Sequence, residues 1–174
     1  MTDGHVRPAR PEDRPRLRAI QTVVLAEPWP ELLETGIEGP PVCLVYADPD
    51  PTGYALAVVD GVAAYLAELA VAAGHRSRGQ GSALLDALVG RLRTDGVDCL
   101  RVTVRETDER ARSFYADRGF AVVDRLPDGR HGGEEAARPL QESAPVHTGR
   151  VRPYGVLVQR LHTGSANYPW DFIN

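Results

Sequence analysis

Hydrophobic positions along the chain repeat at two spacings, and each spacing predicts a type of secondary structure. Residues 65–71 form an apolar run with a single charge, Glu68, which is typical of a buried strand. Residues 72–81 are small, basic and rich in glycine, so they predict a turn. Residues 82–92 carry leucines on one helical face. These leucines are Leu84, Leu85, Leu88 and Leu92. The rest of the chain is expected to be organised around this strand, loop and helix.

The same patterns predict six further strands and three further helices. The strands are expected at residues 5–9, 41–47, 54–59, 99–104, 120–126 and 154–161, and the central strand begins at residue 62. The helices are expected at residues 11–25, 30–35 and 109–118. Gly36, Gly96 and Gly119 follow the second, third and fourth helices and predict where each helix ends.

Two turns are predicted between the second and fourth strands. Residues 48–53 are rich in aspartate, proline and glycine, which favours a turn. Asp60-Gly61 is the dipeptide expected in a type I′ hairpin. These strands should therefore form an antiparallel meander within the order β-α-α-β-β-β-α-β-α-β-β.

Length and charge limit the class of protein. A chain of 174 residues predicts one domain, which we assign to residues 1–161, followed by a tail at 162–174. The net charge of −4 argues against general binding of nucleic acid or anionic membranes. All 20 residues in the Lys+Arg count are arginine. No segment predicts a signal peptide or a bilayer span.

The chain has two cysteines, Cys43 and Cys99, and both lie in apolar, strand-like runs. This position predicts buried free thiols in a protein of the reducing cytoplasm. No spacing of cysteine and histidine suits a metal site, so no metal is expected.

The loop before the central helix contains Arg76, Arg78, Gly79 and Gly81. The first N–H groups of a helix lack partners inside the helix and favour negative charge, and arginines add forked donors. This combination predicts a phosphate or pyrophosphate site. A Walker loop would need lysine, which the chain lacks, and a Rossmann fingerprint would need glycine where Leu84 stands. A plain β–α turn with solvated arginines is the alternative.

Two segments resemble the GNAT N-acetyltransferases. Residues 76–81, RSRGQG, resemble the family's (Gln/Arg)-x-x-Gly-x-(Gly/Ala) signature, and residues 69–71 resemble the end of its fourth strand. Residues 111–120 are similar to its A-x-x-(F/L)-Y-x-x-x-G-F element. Asp108 stands where the family usually has asparagine, and an acid cannot donate as an amide does. It can still cap the fourth helix.

The resemblance implies an α/β (α+β) fold with a mixed, mostly antiparallel seven-stranded sheet and about four helices. It also implies that acetyl-CoA binds with its pyrophosphate at the arginine loop and its pantetheine between strands four and five. The residues expected to contact acetyl-CoA are Leu69, Ala70, Val71, Arg76, Ser77, Arg78, Gly79, Gln80, Gly81, Ser82, Asp108 and Ala111.

Two side chains are candidates for the chemistry. The resemblance places Tyr115 near the thioester sulfur, where a phenol can protonate the leaving thiolate; packing of the helix is its alternative role. Glu68 alternates with Leu69 and Val71, so it should project on the other face of the strand. There it is a candidate base for the amine, with an ion pair to an arginine as the alternative.

The acceptor is expected to be a primary amine of a small molecule that attacks directly in a ternary complex. In the family, the segment between the first two helices borders the acceptor pocket, so Trp29 and Glu31 are candidate contacts. The acids of this segment are Glu27, Glu31, Glu34 and Glu38. They suit a cationic amine, or they form a solvated helix face. A protein N-terminus or lysine as acceptor, and a non-catalytic acyl-CoA-binding domain, are the alternatives.

Two segments are left outside the core pattern. Residues 127–153 predict a long loop, and its His131 and His147 are interpreted as ordinary loop residues. Residues 167–172 are rich in aromatic side chains and should dock on their own domain or on a second subunit. Members of the family often pair through their last strands, so a homodimer is a candidate assembly.

Overall fold

The computed structural model describes residues 4–126 and 154–161. Within these residues, seven strands and four α-helices follow one another in the predicted order. The strands are β1 His5–Pro8, β2 Val42–Ala47, β3 Pro51–Asp60, β4 Ala63–Val71, β5 Cys99–Arg105, β6 Ala121–Leu126 and β7 Tyr154–Arg160. The helices are α1 Arg14–Val24, α2 Pro30–Glu38, α3 Gln80–Thr94 and α4 Glu109–Ala116. The predicted loop at 127–153 and the aromatic tail lie outside the described residues.

The strands form one sheet in the order β1-β2-β3-β4-β5-β7-β6. Only the β4–β5 pair is parallel, and the other five neighbouring pairs are antiparallel. This arrangement confirms the predicted mixed, mostly antiparallel sheet. It also excludes the dinucleotide-binding alternative, because a Rossmann domain is built on a mostly parallel sheet.

The two faces of the sheet carry separate hydrophobic clusters. One cluster contains the predicted leucines of α3 together with Leu100, Val102 and Val104 of β5. The other contains Leu17 of α1 and Leu33 of α2, both fully buried. Burial of each such leucine stabilises the fold by about 2 kcal/mol. The sheet is thus covered by α3 and α4 on one side, and by α1 and α2 on the other.

A β-bulge in β4 changes which face of the sheet its side chains occupy. Leu56 of β3 pairs with Glu68, whereas the next residue, Ala57, pairs with Leu66, so Ala67 has no partner in β3. Leu66 therefore lies in the cluster under α3, while Glu68 reaches a side chain of α1 on the opposite face. Without the extra residue, the two side chains would lie on the same face.

The second helix is longer than the sequence predicted, because Gly36 does not end it. Gly36 is buried inside α2, and a β-carbon there would lie 2.5 Å from a methyl group of Leu56. The glycine is therefore needed for close packing against the sheet. The helix ends at Glu38, and Gly39, with φ of 129°, follows it.

The two predicted turns also differ in detail from the structure. Strand β3 begins at Pro51, so 51–53 belong to the strand and not to the turn. In the hairpin, Asp60 pairs with Ala63, which makes Gly61 and Val62 the loop residues. Of these two, only Gly61 has a positive φ, whereas a type I′ turn needs a positive φ at both. The type I′ prediction is therefore wrong.

An ion pair holds the entry into α1. Arg7 donates two hydrogen bonds to the buried carboxylate of Asp13, at 2.7 and 2.9 Å, and the Arg10 amide donates a third at 2.8 Å. The bond from Arg7 is the main reason that the pKa of Asp13 lies below its usual value of 3.8. The ionised carboxylate therefore stabilises the fold above that pH, and this stabilisation is lost as the pH falls through the lowered pKa.

We expect Asp13→Asn to lower the free energy of unfolding at pH 7 by about 2–3 kcal/mol, because it leaves Arg7 without its counter-ion. Urea denaturation measures this difference, which should shrink as the pH falls through the lowered pKa of Asp13, because the wild-type carboxyl then becomes protonated as well. Glu12→Gln is the control, since Glu12 is exposed and lies 4.0 Å from Arg10. An equal loss in both variants would contradict the role of the buried pair.

Candidate active site

The site begins where β4 and β5 separate. Their parallel pairing runs from Ala63 with Cys99 to Leu66 with Val102. Both strands continue past that point, β4 to Val71 and β5 to Arg105, without pairing to each other. Residues 67–71 of β4 thus have an open backbone edge on the side away from β3. Such an edge can accept an extended ligand as an additional strand.

The predicted phosphate loop connects this open edge to α3. Ser77 and Gly79 both have positive φ, 61° and 78°, and Gly79 is the residue that precedes the helix. The first helical hydrogen bond runs from the Ala83 amide to the Gly79 carbonyl, at 2.9 Å. The amides of 80–82 therefore have no acceptor within the helix, and they lie at its positive end.

Gln80 contributes to this loop differently from the residues around it. Its side chain is buried, and Oε1 accepts a hydrogen bond of 2.9 Å from the hydroxyl of Thr52. This contact ties the start of α3 to β3. Only the backbone N–H of Gln80 is then suited to a ligand, whereas Gly81 and Ser82 are partly exposed.

Four arginines surround the start of α3; one of them, Arg110, lies in α4, and another, Arg118, lies just after that helix. Arg76 and Arg78 are exposed in the loop itself, as the sequence indicated. Arg110 donates a hydrogen bond of 3.2 Å to Ser77 Oγ. Arg118 donates one to the hydroxyl of Ser82. Sequence reasoning missed these last two, although both lie in or beside the segment with the second resemblance.

Arg118 is fixed in place by Phe114. Its guanidinium carbon lies 3.8 Å from the centre of the Phe114 ring, and Nη1 donates to the Phe114 carbonyl at 2.8 Å. A cation held over an aromatic face in this way loses little further freedom when it binds an anion. The start of α3 is therefore flanked by an ordered positive charge.

The start of α4 is capped as predicted. Asp108 accepts a hydrogen bond of 2.9 Å from the Ala111 amide. The carboxylate is thus used by the helix, and Ala111 packs against the hydrophobic cluster under α3. No hydrogen bond joins either side chain to residues 76–82, whereas Arg110, which lies between them in the sequence, donates one to Ser77.

Tyr115 is buried, with 7% of its surface exposed, between two aromatic rings. The ring centres of Phe114 and Phe120 lie 5.1 and 5.2 Å away in edge-on geometry. Burial is the main cause that raises the pKa of Tyr115 above its usual value, and the nearby Tyr65 raises it further. The phenol therefore keeps its proton at any ordinary pH. No hydrogen bond joins its hydroxyl to another residue of 4–126.

Glu68 lies in a buried polar cluster on the opposite face of the sheet, with 5% of its surface exposed. Gln21 Nε2 contacts both carboxylate oxygens, at 3.1 and 2.9 Å. The Trp29 amide donates to Oε1 at 2.7 Å, and the Tyr54 hydroxyl donates to Oε2 at 2.7 Å. These four contacts fill the four lone-pair positions of the carboxylate.

The donors around Glu68 are all neutral, so the ion pair with an arginine is not found among the described residues. The pKa values of Tyr54 and Cys43 are both raised, that of Cys43 to about 12. Burial is the largest cause, and the negative charge of Glu68 is the second. The Cys43 thiol is therefore unreactive at neutral pH. Cys43 and Cys99 are free and buried, as predicted.

The connection between α1 and α2 is attached to both separated strands. Its Trp29 amide binds Glu68 of β4, and its Glu27 carboxylate accepts a hydrogen bond from Arg105 of β5. Trp29 itself is half-buried. The connection thus spans the opening between β4 and β5 on the face where Glu68 lies.

Most of the acidic charge predicted for this rim is neutralised. Glu34 lies 2.7 Å from Arg14 and 3.4 Å from Arg18, and Glu38 lies 2.7 Å from Arg14. With Glu27 bound to an arginine of β5, Glu31 is the one acid of the four that forms no ion pair within 4–126 and 154–161. Glu31 is exposed in the first turn of α2, beside Trp29.

The described residues contain neither a cluster of metal ligands nor a helix that could span a membrane. No three side chains of histidine, cysteine, aspartate or glutamate come close enough there to hold a metal ion. Among the described helices, none combines the length and the apolar character needed to cross a bilayer.

An open strand edge, a helix start rich in arginine and a parallel pair that separates between them define the class of acyl-CoA N-acyltransferase folds. The chain belongs to the acetyltransferase (GNAT) family, because the sequence model of that family matches residues 9–120, more than half of the chain. The predicted family is thus confirmed. No curated protein sequence matches this chain.

Solved structures share the fold at low sequence identity. The ribosomal-protein-S18-alanine N-acetyltransferase from Escherichia coli is 20% identical, with 95% of this chain and 99% of that one covered and a TM-score of 0.73. Ard1 from Thermoplasma volcanium is 22% identical, with 90% and 97% covered and a TM-score of 0.71.

One further solved structure contains coenzyme A. N-acetylglutamate synthase from Neisseria gonorrhoeae, complexed with coenzyme A and N-acetyl-glutamate, is 22% identical. The alignment covers 93% of this chain and 36% of that one, with a TM-score of 0.66. At these identities the three structures establish the fold, which agrees with the predicted fold class.

Proposed function

We propose that this protein is an N-acetyltransferase that transfers the acetyl group of acetyl-CoA to the primary amine of a small molecule. The observation that carries this proposal is the open edge of β4 at 67–71, which leads directly to the amides of 80–82. An extended pantetheine arm and a pyrophosphate, joined as they are in coenzyme A, match these two features in order.

The pyrophosphate is proposed to bind at the start of α3. The amides of Gly81 and Ser82 supply donors, and Arg76 and Arg78 supply charge. Arg110 and Arg118 extend the positive surface toward α4. The pantetheine arm then lies against Leu69, Ala70 and Val71, where backbone N–H groups can polarise the thioester carbonyl.

Tyr115 is proposed as the acid of the reaction. The amine nitrogen attacks the carbonyl carbon, and the carbon–sulfur bond then breaks. The leaving thiolate takes a proton from the Tyr115 hydroxyl, so that coenzyme A departs as the thiol. The raised pKa of Tyr115 keeps this proton available, and its hydroxyl forms no hydrogen bond with another residue of 4–126.

Glu68 is proposed as the base that accepts the proton of the amine, directly or through water. Its four contacts mean that one donor must give way first. The Gln21 amide is suited to this, because it touches both oxygens and can release one while it keeps the other. One oxygen of the carboxylate is then open to the amine, whose proton it accepts.

The acceptor is proposed to bind between Glu68 and the α1–α2 connection, beside Trp29 and Glu31. The two attachments of this connection narrow the approach, which favours a small molecule over a polypeptide. A protein acceptor, such as an N-terminus, is the second candidate, since one protein of the same fold is a ribosomal-protein-S18-alanine N-acetyltransferase. The free, buried thiols suit a cytoplasmic protein.

Calorimetric titration with acetyl-CoA, coenzyme A and NAD tests the donor, and a thiol-release assay with amines and peptides tests the transfer. We expect the first two ligands to bind and NAD not to bind. Release of thiol with an amine supports an enzyme. Binding without release for any acceptor would favour the non-catalytic acyl-CoA-binding alternative. Failure of acetyl-CoA to bind would refute the proposal.

Replacing Glu68 by glutamine should lower kcat by roughly tenfold to a hundredfold, because the amide has the same shape and no proton affinity. Thiol release measures kcat, and thermal unfolding checks that the buried cluster is intact. Tyr54→Phe is the comparison, since it removes one donor and keeps the carboxylate; its kcat should fall less. If Glu68→Gln retains full kcat, Glu68 serves only to hold the α1–α2 connection.

A further inference from the structure

The separated strands present opposite charges on the face that is covered by α1 and α2. Glu68 lies on β4, and Arg105 lies at the end of β5. The alternation of β5 places Leu100, Val102 and Val104 in the cluster under α3. Arg105 therefore projects to the other face, as its contact with Glu27 of the α1–α2 connection shows. The opening between the strands thus has an acid on one side and an arginine on the other.

The partner of Arg105 is weakly held. Arg105 and Glu27 are 34% and 55% exposed, respectively. An ion pair with this exposure contributes little to stability, since water and salt compete with both charges. Glu27 also belongs to a connecting segment and not to a helix or strand. Its carboxylate can therefore be exchanged for another carboxylate without disturbing the core.

We propose that Arg105 binds a carboxylate of the acceptor and that Glu27 occupies this position when the acceptor is absent. This inference rests on the proposed function and names its substrate class: amines that carry a carboxylate, such as free amino acids. The amine is directed toward Glu68 and the carboxylate toward Arg105. An arginine suits this task because its planar fork matches the two oxygens of a carboxylate.

Charge complementarity distinguishes this class from the alternatives. A diamine would place a second positive charge beside Arg105, which is unfavourable at short range. A protein N-terminus has a peptide bond where a free amino acid has its carboxylate, so it offers Arg105 no charge there. An amino acid satisfies both charged groups at once, and it releases Glu27 to water.

The test compares matched acceptors on the wild-type protein and on Arg105→Gln. Alanine, phenylalanine, lysine and glutamate are each paired with the corresponding α-carboxamide, and kcat/KM is measured by thiol release. The ratio of kcat/KM for the carboxylate to kcat/KM for the carboxamide is calculated for each protein, and the wild-type ratio is divided by that of Arg105→Gln. This double ratio cancels the different basicity of the two amines. For the best substrate pair, we expect the double ratio to be roughly ten to a hundred, because the carboxylate-to-carboxamide ratio falls by that factor in Arg105→Gln.

Two further variants distinguish a specific effect of Arg105→Gln from a general effect on folding. Glu27→Gln removes the internal competitor, so kcat/KM for the carboxylate acceptor should rise about two- to fivefold. Arg91→Gln is the control, because Arg91 forms an exposed ion pair with Asp95 near the far end of α3. Its carboxylate-to-carboxamide ratio should equal that of the wild-type protein. A ratio that is unchanged in Arg105→Gln, or that falls equally in Arg91→Gln, overturns the proposal.

Calorimetry with the same compounds on the coenzyme A complex separates this inference from the proposed function. Binding of an amino acid that depends on Arg105, without thiol release from acetyl-CoA, supports the carboxylate site and refutes the acetyl transfer. Thiol release with amines or peptides that does not depend on Arg105 supports the acetyl transfer and refutes the carboxylate site. If no amino acid of the panel binds more tightly than its carboxamide, the proposal of a carboxylate site is overturned.

Discussion

Binding of acetyl-CoA is expected to be lost when Gly81 is replaced by tryptophan. A β-carbon at Gly81 would lie 3.7 Å from the Phe114 ring and 4.0 Å from Val71, which is ordinary contact. The helix can therefore accept a side chain at this position. A large indole, however, fills the space in front of the amides of 80–82, where the pyrophosphate is proposed to bind. We expect the Kd for acetyl-CoA to rise by more than about a hundredfold.

Calorimetric titration measures this loss, and two variants control for it. Gly81→Ala should bind acetyl-CoA nearly as well as the wild-type protein, because a methyl group has room. Gly90→Trp places the same indole later in α3, at an exposed glycine whose β-carbon would meet no atom within 4 Å. Its affinity should be unchanged. Undiminished binding by Gly81→Trp would mean that the pyrophosphate lies elsewhere.

Replacing Tyr115 by phenylalanine is expected to reduce kcat by about 10²- to 10⁴-fold, the typical contribution of a general acid. The ring keeps its edge-on contacts with Phe114 and Phe120, so the fold and the affinity for acetyl-CoA should change little. Thiol release measures kcat, and calorimetry measures the Kd for acetyl-CoA. A large change in kcat with a constant Kd distinguishes protonation of the thiolate from packing.

The pH dependence of the wild-type enzyme adds a second measurement. Because burial raises the pKa of Tyr115, the phenol stays protonated beyond pH 10, the ordinary value for tyrosine. Deprotonation of Tyr115 should therefore not lower kcat between about pH 8 and pH 10. Tyr46→Phe, which removes a phenol from β2 outside the proposed site, should have wild-type kcat. Equal activity of Tyr115→Phe and the wild-type protein would assign Tyr115 to the core alone.

The central strand, loop and helix were predictable because their pattern is local. The leucines of α3 repeat at helical spacing, and all four are buried as expected. The alternation in β5 likewise placed Leu100, Val102 and Val104 on one face. Asp108 caps α4, because a short acidic side chain can reach an amide three residues ahead. In each case neighbours in the sequence supply the interactions.

Glu68 shows where local reasoning was insufficient. The opposite orientation of Glu68 relative to Leu69 and Val71 followed from strand periodicity. The hydrogen-bond donors to Glu68 could not be predicted from periodicity, since Gln21, Trp29 and Tyr54 lie 47, 39 and 14 residues away in the chain. The bulge at Ala67 depends on the register with β3, and the sequence of β4 alone does not predict it. The alternative of an ion pair with an arginine is therefore wrong for the described residues, where three neutral donors surround the carboxylate.

The boundary errors have a similar cause. Gly36 has the sequence signature of a helix end, but the close approach of Leu56 makes a glycine necessary inside α2. Residues 51–53 contain two turn-forming residues and still belong to β3. The Ala72 amide binds the Thr52 carbonyl at 2.8 Å, and the Thr52 hydroxyl binds Gln80. Packing between distant segments overrode the local preference at both places.

The sequence by itself determined the order of the elements, the leucine face of α3, the arginine-rich loop before that helix and the family. Periodicity, glycine positions and short motifs act over a few residues and can be read from the chain. Only the tertiary structure decided that β4 and β5 separate after Leu66 and that the α1–α2 connection bridges them. It also decided that Glu68 and Arg105 face the same opening. These relations depend on strand register and on contacts between residues far apart in the chain, which periodicity does not specify.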